Sequence, residues 1–268
     1  MAQDDTANNL VSDLDKCLHL ADVADEITMH HFRNVTLDVQ TKPDRTPVTE
    51  ADLAVDKALH DIVVNEYGDA YLSEEGDQTH RPGRQWVVDP IDGTKNFMRR
   101  HPVWGVLISL QDKSGTLAAV VSAPALGRRW WASRGKGAWT RDVDDTVRQI
   151  HVSQVANLRD AYLTYCSLLP WDDTPVGVDG IVNLMRASWR ERSFGDFLGH
   201  VFVAEGVVDA CMEPNTKEWD MAAHIFIVQE AGGSTFTNAT ADTPASKERF
   251  VMTSNVRLHD ELRKALKQ

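Results

Sequence analysis

Two aspartates stand three residues apart in WVVDPIDGTKNF, residues 86–97, where a short apolar run gives way to proline, glycine and threonine. Strands deplete Asp, Gly and Pro. Asp89 and Asp92 therefore mark either an ordinary turn or a strand end that presents carboxylates for chemistry. Pro90 cannot continue a ladder and Gly93 frees the backbone. That geometry lets both carboxylates converge on one point, with the main-chain carbonyl of Ile91 available between them. Hard divalent cations take oxygen donors of this kind, and Mg²⁺ combines few carboxylates with water and phosphate. GTKNF reads as a helix start, whose amides suit a phosphate group. Glu74 and Glu75 close the preceding predicted strand, and Asp220 follows Trp219 at the head of a long helical pattern. Each of these acids alone is equally a solvated loop residue or a cap.

The rest of the chain has to position these groups. Its 268 residues suffice for one large domain or two packed subdomains. A hydrophobic share of 42% beside 25% charged residues is a globular balance and excludes global disorder. The net charge of -12 argues against general nucleic-acid binding. RRWW, residues 128–131, accordingly reads as a strand with two buried or half-buried tryptophans. Cys17, Cys166 and Cys211 lack CxxC spacing and indicate neither a disulfide framework nor a structural zinc site. MAQDDTANN lacks the basic and apolar regions of a signal peptide, and no apolar run approaches the ~20 residues of a membrane span. A soluble, reduced, cytoplasmic protein is expected, with neither nucleic acid nor membrane as partner.

Leu10, Leu14, Cys17, Leu18, Ala21, Ala24 and Ile27 recur at three and four, which predicts an amphipathic first helix. TKPDRTPVT, residues 41–49, is predicted to be a loop broken by Pro43 and Pro47. A second helix opens on a Thr49/Asp52 capping box and stops at Gly68. A short strand at AYLS and four apolar runs over residues 85–139, with turns at Gly115 and Gly127, predict a largely antiparallel sheet. The charged, poorly periodic residues 140–149 mark a boundary. An N-terminal α+β subdomain, residues 1–145, is expected before it and a C-terminal α/β subdomain, 146–268, after it. In the second part strands at AYLTYCSL, VVDACME and FVMTSN alternate with helices at DFLGHVFVAEG, WDMAAHIFIVQEAGG and the C-terminus, which is an α/β pattern.

SEE at 73–75, WVVDPIDGTKNF and WDMAAHIFIVQEAGG, in this order and separation, closely resemble the signatures of the inositol monophosphatase family of magnesium-dependent phosphatases. TPVTEAD and GDFLGHVFVAEGVVDA fall where that family has recognisable segments, so the resemblance covers most of the chain. It implies an α/β fold, a layered αβαβα sandwich of the inositol monophosphatase/fructose-1,6-bisphosphatase type, with the active site between the subdomains and a homodimeric assembly. It also implies metal ligands at Glu74, Asp89, the carbonyl of Ile91, Asp92 and Asp220. Asp89 would bridge two Mg²⁺ ions, with Glu74 and Ile91 on one side and Asp92 and Asp220 on the other. Catalysis would rest on Glu74, Asp92 and Thr94, the last orienting the attacking water, while Gly93 and Thr94 amides hold phosphate. Asp52 either helps to hold a third, weaker ion or is only a capping-box acid. Metal coordination lowers the pKa of water, and phosphoryl transfer is mostly positioning and electrostatics. No Ser, Cys or His nucleophile is therefore expected. The ten histidines read as surface or core residues, with His101 and His200 nearest the site. Inhibition by Li⁺ is a further implication of the likeness.

Substrate choice is expected from the C-terminal half. Asp196 follows Gly195 where family members acting on inositol phosphates commonly carry a small hydroxyl residue or alanine. An acid there favours a cationic substrate group, and Glu213 adds a second acid to the rim. TKPDRTPVTEAD, RRHPVWGVLISL and SAPALGRRWWASRGKGAW look more like the histidinol-phosphate phosphatases built on this fold. Histidinol phosphate carries an amine and an imidazole, which suit Asp196 and Glu213. Trp104 either stacks on that imidazole or is a core aromatic. Arg192 contacts ligand or a partner subunit, or is a surface residue. The expected activity is Mg²⁺-dependent hydrolysis of histidinol phosphate. Inositol-1-phosphate or broad sugar-phosphate hydrolysis is the alternative, followed by bisphosphate nucleotide hydrolysis. A catalytically silent binding protein on the same fold is the non-enzymatic rival.

Overall fold

The computed structural model describes residues 12–34, 39–41, 47–76, 78–238 and 249–266. Helix α1 (Asp13–Arg33) starts where Ser12 and Asp15 cap each other. The Ser12 hydroxyl accepts from the Asp15 amide at 3.1 Å, and the Asp15 carboxylate accepts from the Ser12 amide at 3.2 Å. Its stripe buries Cys17, Leu20, Ala21 and Ala24; Leu10 lies outside the described residues. The segment read as a loop is partly paired, since β1 (Val39–Thr41) and β2 (Pro47–Thr49) form an antiparallel ribbon. Pro47 is tolerated there as the first residue of its strand, and Pro43 lies outside the described residues. Helix α2 (Glu50–Asp61) opens on the expected Thr49/Asp52 capping box. It runs through a π-helical turn, Ile62–Tyr67, to Gly68 at φ +75°, a left-handed cap that favours glycine.

Strands β3 (Ala70–Ser73), β4 (Gln85–Asp92), β5 (Gly105–Asp112), β6 (Gly115–Ala123), β7 (Arg128–Ser133), β8 (Ala138–Arg141) and β9 (Val147–Ile150) form one seven-stranded sheet in chain order. β3 and β4 are parallel and the remaining pairs antiparallel. A short helix, α3 (Thr94–Met98), interrupts the path from β4 to β5. RRWWASRGKGAW is two strands of a hairpin, and residues 140–149 carry the β8–β9 turn. The sheet thus extends to Ile150, past the 145/146 boundary drawn from composition. Charge gathers there because β9 is an edge strand whose Val147, Arg148 and Gln149 are exposed.

A five-stranded sheet follows, built from β10 (Tyr162–Tyr165), β11 (Arg190–Arg192), β12 (Ala210–Pro214), β13 (Ser234–Thr237) and β14 (Phe250–Ser254) in the order β11-β10-β12-β14-β13. β10 runs parallel to both neighbours, whereas β14 is antiparallel to β12 and β13. Side-chain alternation along the strands divides the core into layers. Trp86, Val88, Ile108 and Val120 pack under α1 and α2. Leu107, Val121 and Trp130, on the opposite face, meet α5 (Asp196–Ala204) and α6 (Glu218–Glu230) through Phe197, Val201 and Ile227. Those helices also contact β12 and β14. Leu163, Met212 and Met252 pack on the far side against α4 (Gly177–Ala187) and α7 (His259–Ala265). The layer order is α, β, α, β, α. Sequence reading missed α4, β11 and β13. The first is diluted by Gly177 and Gly180, which disfavour helix, and the two strands are short sheet edges. Among the described residues no helix is long and apolar enough to cross a membrane.

The buried guanidinium of Arg129 on β7 locks α1 to this sheet. It donates to Asp22 at 2.7 Å, Asp25 at 2.6 Å and the Ser122 hydroxyl at 3.1 Å.

Candidate active site

The end of β4 is irregular by construction. Asp89 pairs with Leu107 and Asp92 with Gly105, so the register shifts between them, and such a bulge re-aims side chains. Asp89 is 2% exposed, and its carboxylate accepts from the Ile91 amide at 3.0 Å. The Ile91 side chain is buried with Phe97 and Trp104, which leaves its carbonyl to accept from the Thr94 hydroxyl at 3.1 Å. Gly93 has φ +84°. A Cβ there would stand 3.1 Å from the Val103 carbonyl oxygen and 3.2 Å from the Asp196 carboxylate. Both the backbone and the close approach demand glycine.

Glu74 follows directly on β3, whose parallel pairing with β4 brings both strand ends to the same edge. Asp220 lies in the first turn of α6 and accepts from the Lys217 amide at 2.6 Å. Glu74, Asp89 and Asp220 each place one carboxylate oxygen within 4.8 Å of the others. Asp92 accepts from the Phe197 amide at 2.7 Å, a bond that ties the strand end to α5.

Electrostatics report the crowding. Burial, then Glu74, Asp92 and Asp220, pushes Asp89 well above the ordinary carboxylate range. Burial also raises Asp92 well above it, helped by Asp196, Glu213 and Asp220 and opposed by the Phe197 amide. Asp220 is raised to about 7, mainly by burial, with Glu213 and Glu74 adding to the rise and the Lys217 amide opposing it. Buried carboxylates at this density are stabilised by cations, and an all-oxygen donor set matches a hard ion such as Mg²⁺. Glu74, Asp89, Asp92, Asp220 and the Ile91 carbonyl fit that role.

These groups share a cleft of about 530 Å³ with Gly93, Thr94, Lys95, Asn96, Asp196 and Glu213. Asp196 heads α5 at φ +48°, and its carboxylate accepts from the Asn96 amide at 2.8 Å. Burial and Glu213 raise it to about 6 against the pull of Lys95. Glu213 accepts from His200 Nε2 at 3.0 Å, while His200 Nδ1 meets the Thr253 hydroxyl at 2.8 Å. Asp52 is buried in its capping box, holding the Thr49 amide at 2.8 Å and the Thr49 hydroxyl at 2.5 Å. Burial raises it to about 6, with Thr49 opposing and Glu74 adding to the rise.

Two residues whose place the sequence left open lie outside the cleft. Trp104 is fully buried between Phe32 and Phe97, at ring separations of 5.2 and 4.9 Å, so it is a core aromatic and not a stacking wall. Arg192 sits on edge strand β11 and lines a separate groove with Tyr165, Met185 and Trp189. Conversely, Lys95, Asn96 and Cys166 line the cleft without having been singled out, and His101 also lines it. For Lys95 and Asn96 the signal lay inside GTKNF, as a cation and an amide beside the turn at Gly93 and Thr94.

The family model described as "Inositol monophosphatase family" matches residues 11–268. A Streptomyces coelicolor protein named histidinol-phosphatase is 46% identical over 248 residues, covering 91% of this chain and 92% of its own. A Mycobacterium tuberculosis protein of the same name is 47% identical over 223 residues, covering 82% and 85%. Among solved structures, the extragenic suppressor protein suhB of Bartonella henselae superposes with a TM-score of 0.81 at 27% identity, covering 94% of this chain and 97% of that one.

Proposed function

The chain belongs to the inositol monophosphatase family, and from that premise we propose that it hydrolyses L-histidinol phosphate to L-histidinol and phosphate, a step of histidine biosynthesis. It is a metal-dependent phosphomonoesterase, and the ion is Mg²⁺. One observation carries the choice of substrate. Asp196 and Glu213 face the same cleft as the acidic cluster, and a substrate bearing an amine and an imidazole satisfies both acids. The likeness to two proteins named histidinol-phosphatase supports the same reading.

Glu74, Asp89, the Ile91 carbonyl, Asp92 and Asp220 would hold two ions, and Asp52 stands behind Glu74 for a third. Bound Mg²⁺ supplies Lewis acidity toward water and phosphate oxygens. The chain supplies the rest. The Thr94 hydroxyl spends its proton on the Ile91 carbonyl, so its lone pairs accept a proton-bearing water and orient it for in-line attack. Glu74 offers a carboxylate beside the same point. The turn at Gly93 and Thr94 presents main-chain amides to the phosphate, and Lys95 adds charge on that side. The working assembly on this reading is a cytoplasmic homodimer.

The test compares phosphate release from histidinol phosphate and inositol-1-phosphate at equal low concentration in Mg²⁺. A preference above about 100-fold, roughly 3 kcal/mol in transition-state binding, supports the assignment. Equal or reversed rates leave the phosphatase in place and remove histidinol phosphate as its substrate.

A further inference from the structure

A second cluster of ligating side chains borders the cleft and shares no residue with the proposed Mg²⁺ ligands. Cys166, Cys211 and His200 each offer one donor atom, and the three atoms lie within 4.8 Å of one another. The fold brings them together from three elements. Thr164 on β10 pairs with Cys211 on the parallel strand β12. Cys166 follows two residues later and so shares that face, held by its own amide donating to the Met212 carbonyl at 3.1 Å. Helix α5 presents His200 from above. It comes this close because residue 199 is glycine: a Cβ there would stand 2.6 Å from Cys211 Sγ and 3.2 Å from Thr164 Cγ2.

We propose that Cys166, Cys211 and His200 form a binding site for a thiophilic divalent cation of the Zn²⁺ class, distinct from the carboxylate site. Two sulfurs and an imidazole are the borderline-soft donors that Zn²⁺ selects and Mg²⁺ avoids. A tetrahedral ion with Zn–S of about 2.3 Å draws its donors to roughly 3.5–4 Å apart. The three atoms are therefore within about an ångström of ligating positions. His200 has an outer partner on each nitrogen, Thr253 and Glu213, of which one remains to orient the ring while the other yields to the ion. Cys166 lines the cleft, which provides an entry path. Burial raises the Cys211 thiol, but Cys166 and His200 pull it down further, to about 7. The Cys211 contact and burial push the Cys166 thiol up. Burial lowers His200, but Cys211 and Glu213 outweigh it and raise the imidazole to about 10, so an entering cation displaces protons from both Cys166 and His200.

The position gives the site consequences for the enzyme. Cys166 Sγ donates to the Asp196 carbonyl at 3.5 Å, and His200 holds Glu213. An ion drawn to these three donors disturbs the settings of both substrate-facing acids, so a thiophilic metal acts on the cleft from below.

Co²⁺ reports the site without reference to turnover. The reduced full-length protein, held in excess Mg²⁺ and a phosphine reductant, is titrated with Co²⁺. One equivalent is expected to produce an intense near-ultraviolet sulfur-to-cobalt charge-transfer band, bleached by one equivalent of Zn²⁺. Cys166→Ser and Cys211→Ser are each expected to reduce that band at least tenfold while far-ultraviolet circular dichroism stays unchanged. If Cys211→Ser does not fold, Cys166→Ser at the cleft margin decides alone. No charge-transfer band in the wild type, or a full band in a folded Cys166→Ser, overturns the proposal. Co²⁺ bound only by carboxylates gives no such band and counts as the first of these outcomes. None of these results depends on which phosphate ester is hydrolysed.

Discussion

The side-chain amide of Asn96 donates to the carboxylate of Asp196 across the cleft at 2.8 Å, while the same nitrogen donates to the Val103 carbonyl at 2.8 Å. Asn96 belongs to the helix that follows the turn at Gly93, and Asp196 heads the helix that faces it. The bond therefore fixes where the Asp196 carboxylate, the acid proposed to read the leaving group, stands relative to the Gly93–Thr94 turn.

Asp196→Ala is expected to lower kcat/KM for histidinol phosphate by roughly 10- to 150-fold, the value of a hydrogen bond to a charged group at about 1.5–3 kcal/mol. Uncharged esters such as inositol-1-phosphate should lose far less. Because Asp196 holds φ +48°, a left-handed conformation that Asn also tolerates, Asp196→Asn separates charge from backbone. It should reproduce most of the loss for histidinol phosphate. Steady-state kinetics on both substrates decide the matter, and an equal loss on both would reduce Asp196 to a structural acid.

Metal removal should expose the repulsion among the buried acids. Asp220 is raised to about 7 and Asp52 to about 6, in each case first by burial. Their folded-state pKa values lie above the unfolded ones. The stability they contribute is complete below about pH 4 and is lost as pH rises through about 6 to 7. Asp89, Asp92 and Asp196 share that sign. His224 and His259, lowered by burial, oppose it, as does Cys211, which burial raises but Cys166 and His200 bring down to about 7. His200, raised to about 10 against burial, shares the sign of the acids. Thermal melts in a chelator should therefore give a lower Tm at about pH 8 than at about pH 5, with Mg²⁺ restoring most at the higher pH. A Tm in chelator that is flat or rises over this range would refute the account.

The acidic centre was legible because WVVDPIDGTKNF carries most of its chemistry in consecutive residues, whose types dictate a bulged strand end and a tight turn. Glu74 and Asp220, each alone no more than a loop acid or a cap, were tied to it only through the resemblance carried by three motifs in order. Trp104 and Arg192 were left open between two readings each, because their destinations depend on partners distant in sequence. Phe32 and Phe97 enclose the Trp104 ring, and pairing of β11 on the sheet edge carries Arg192 away from the cleft that starts one residue later, at Ser193. The Cys166–Cys211 contact escaped for the same reason. Only the parallel register of β10 and β12 makes neighbours of cysteines that share no local spacing.

The Arg129 network should be a strong stability determinant. The Arg129 side chain is 7% exposed and its partner Asp25 17%, whereas Asp22 is 66% exposed. Burial lifts Asp25 against the pull of Arg129, so the carboxylate depends on its cation. Arg129→Ala leaves a buried charge uncompensated and should cost about 3–5 kcal/mol in urea unfolding. Asp22→Ala removes only a solvent-screened partner and should cost less than about 1 kcal/mol. Comparable losses for the two variants would show that α1 is held by apolar packing alone.

Asp92→Asn tests the acidic centre itself. The amide oxygen of Asn can still accept from the Phe197 amide that Asp92 now receives at 2.7 Å, so the join between β4 and α5 should survive. The charge does not survive, and on the proposed two-ion reading one anionic donor to the ion on the leaving-group side would go with it. Loss of one preorganised charged group at a reacting centre costs on the order of 100- to 1000-fold in kcat, and a fall of that size is expected. Folding should respond in the opposite direction. Burial and three neighbouring acids hold Asp92 well above its ordinary range, so the neutral side chain removes an unfavourable charge from the metal-free protein. In a chelator near neutral pH, Asp92→Asn should melt at or above the wild-type temperature, and it should gain less from added Mg²⁺. Turnover equal to the wild type would remove Asp92 from the ligand set. A lower melting temperature in chelator would show instead that its charge supports the fold.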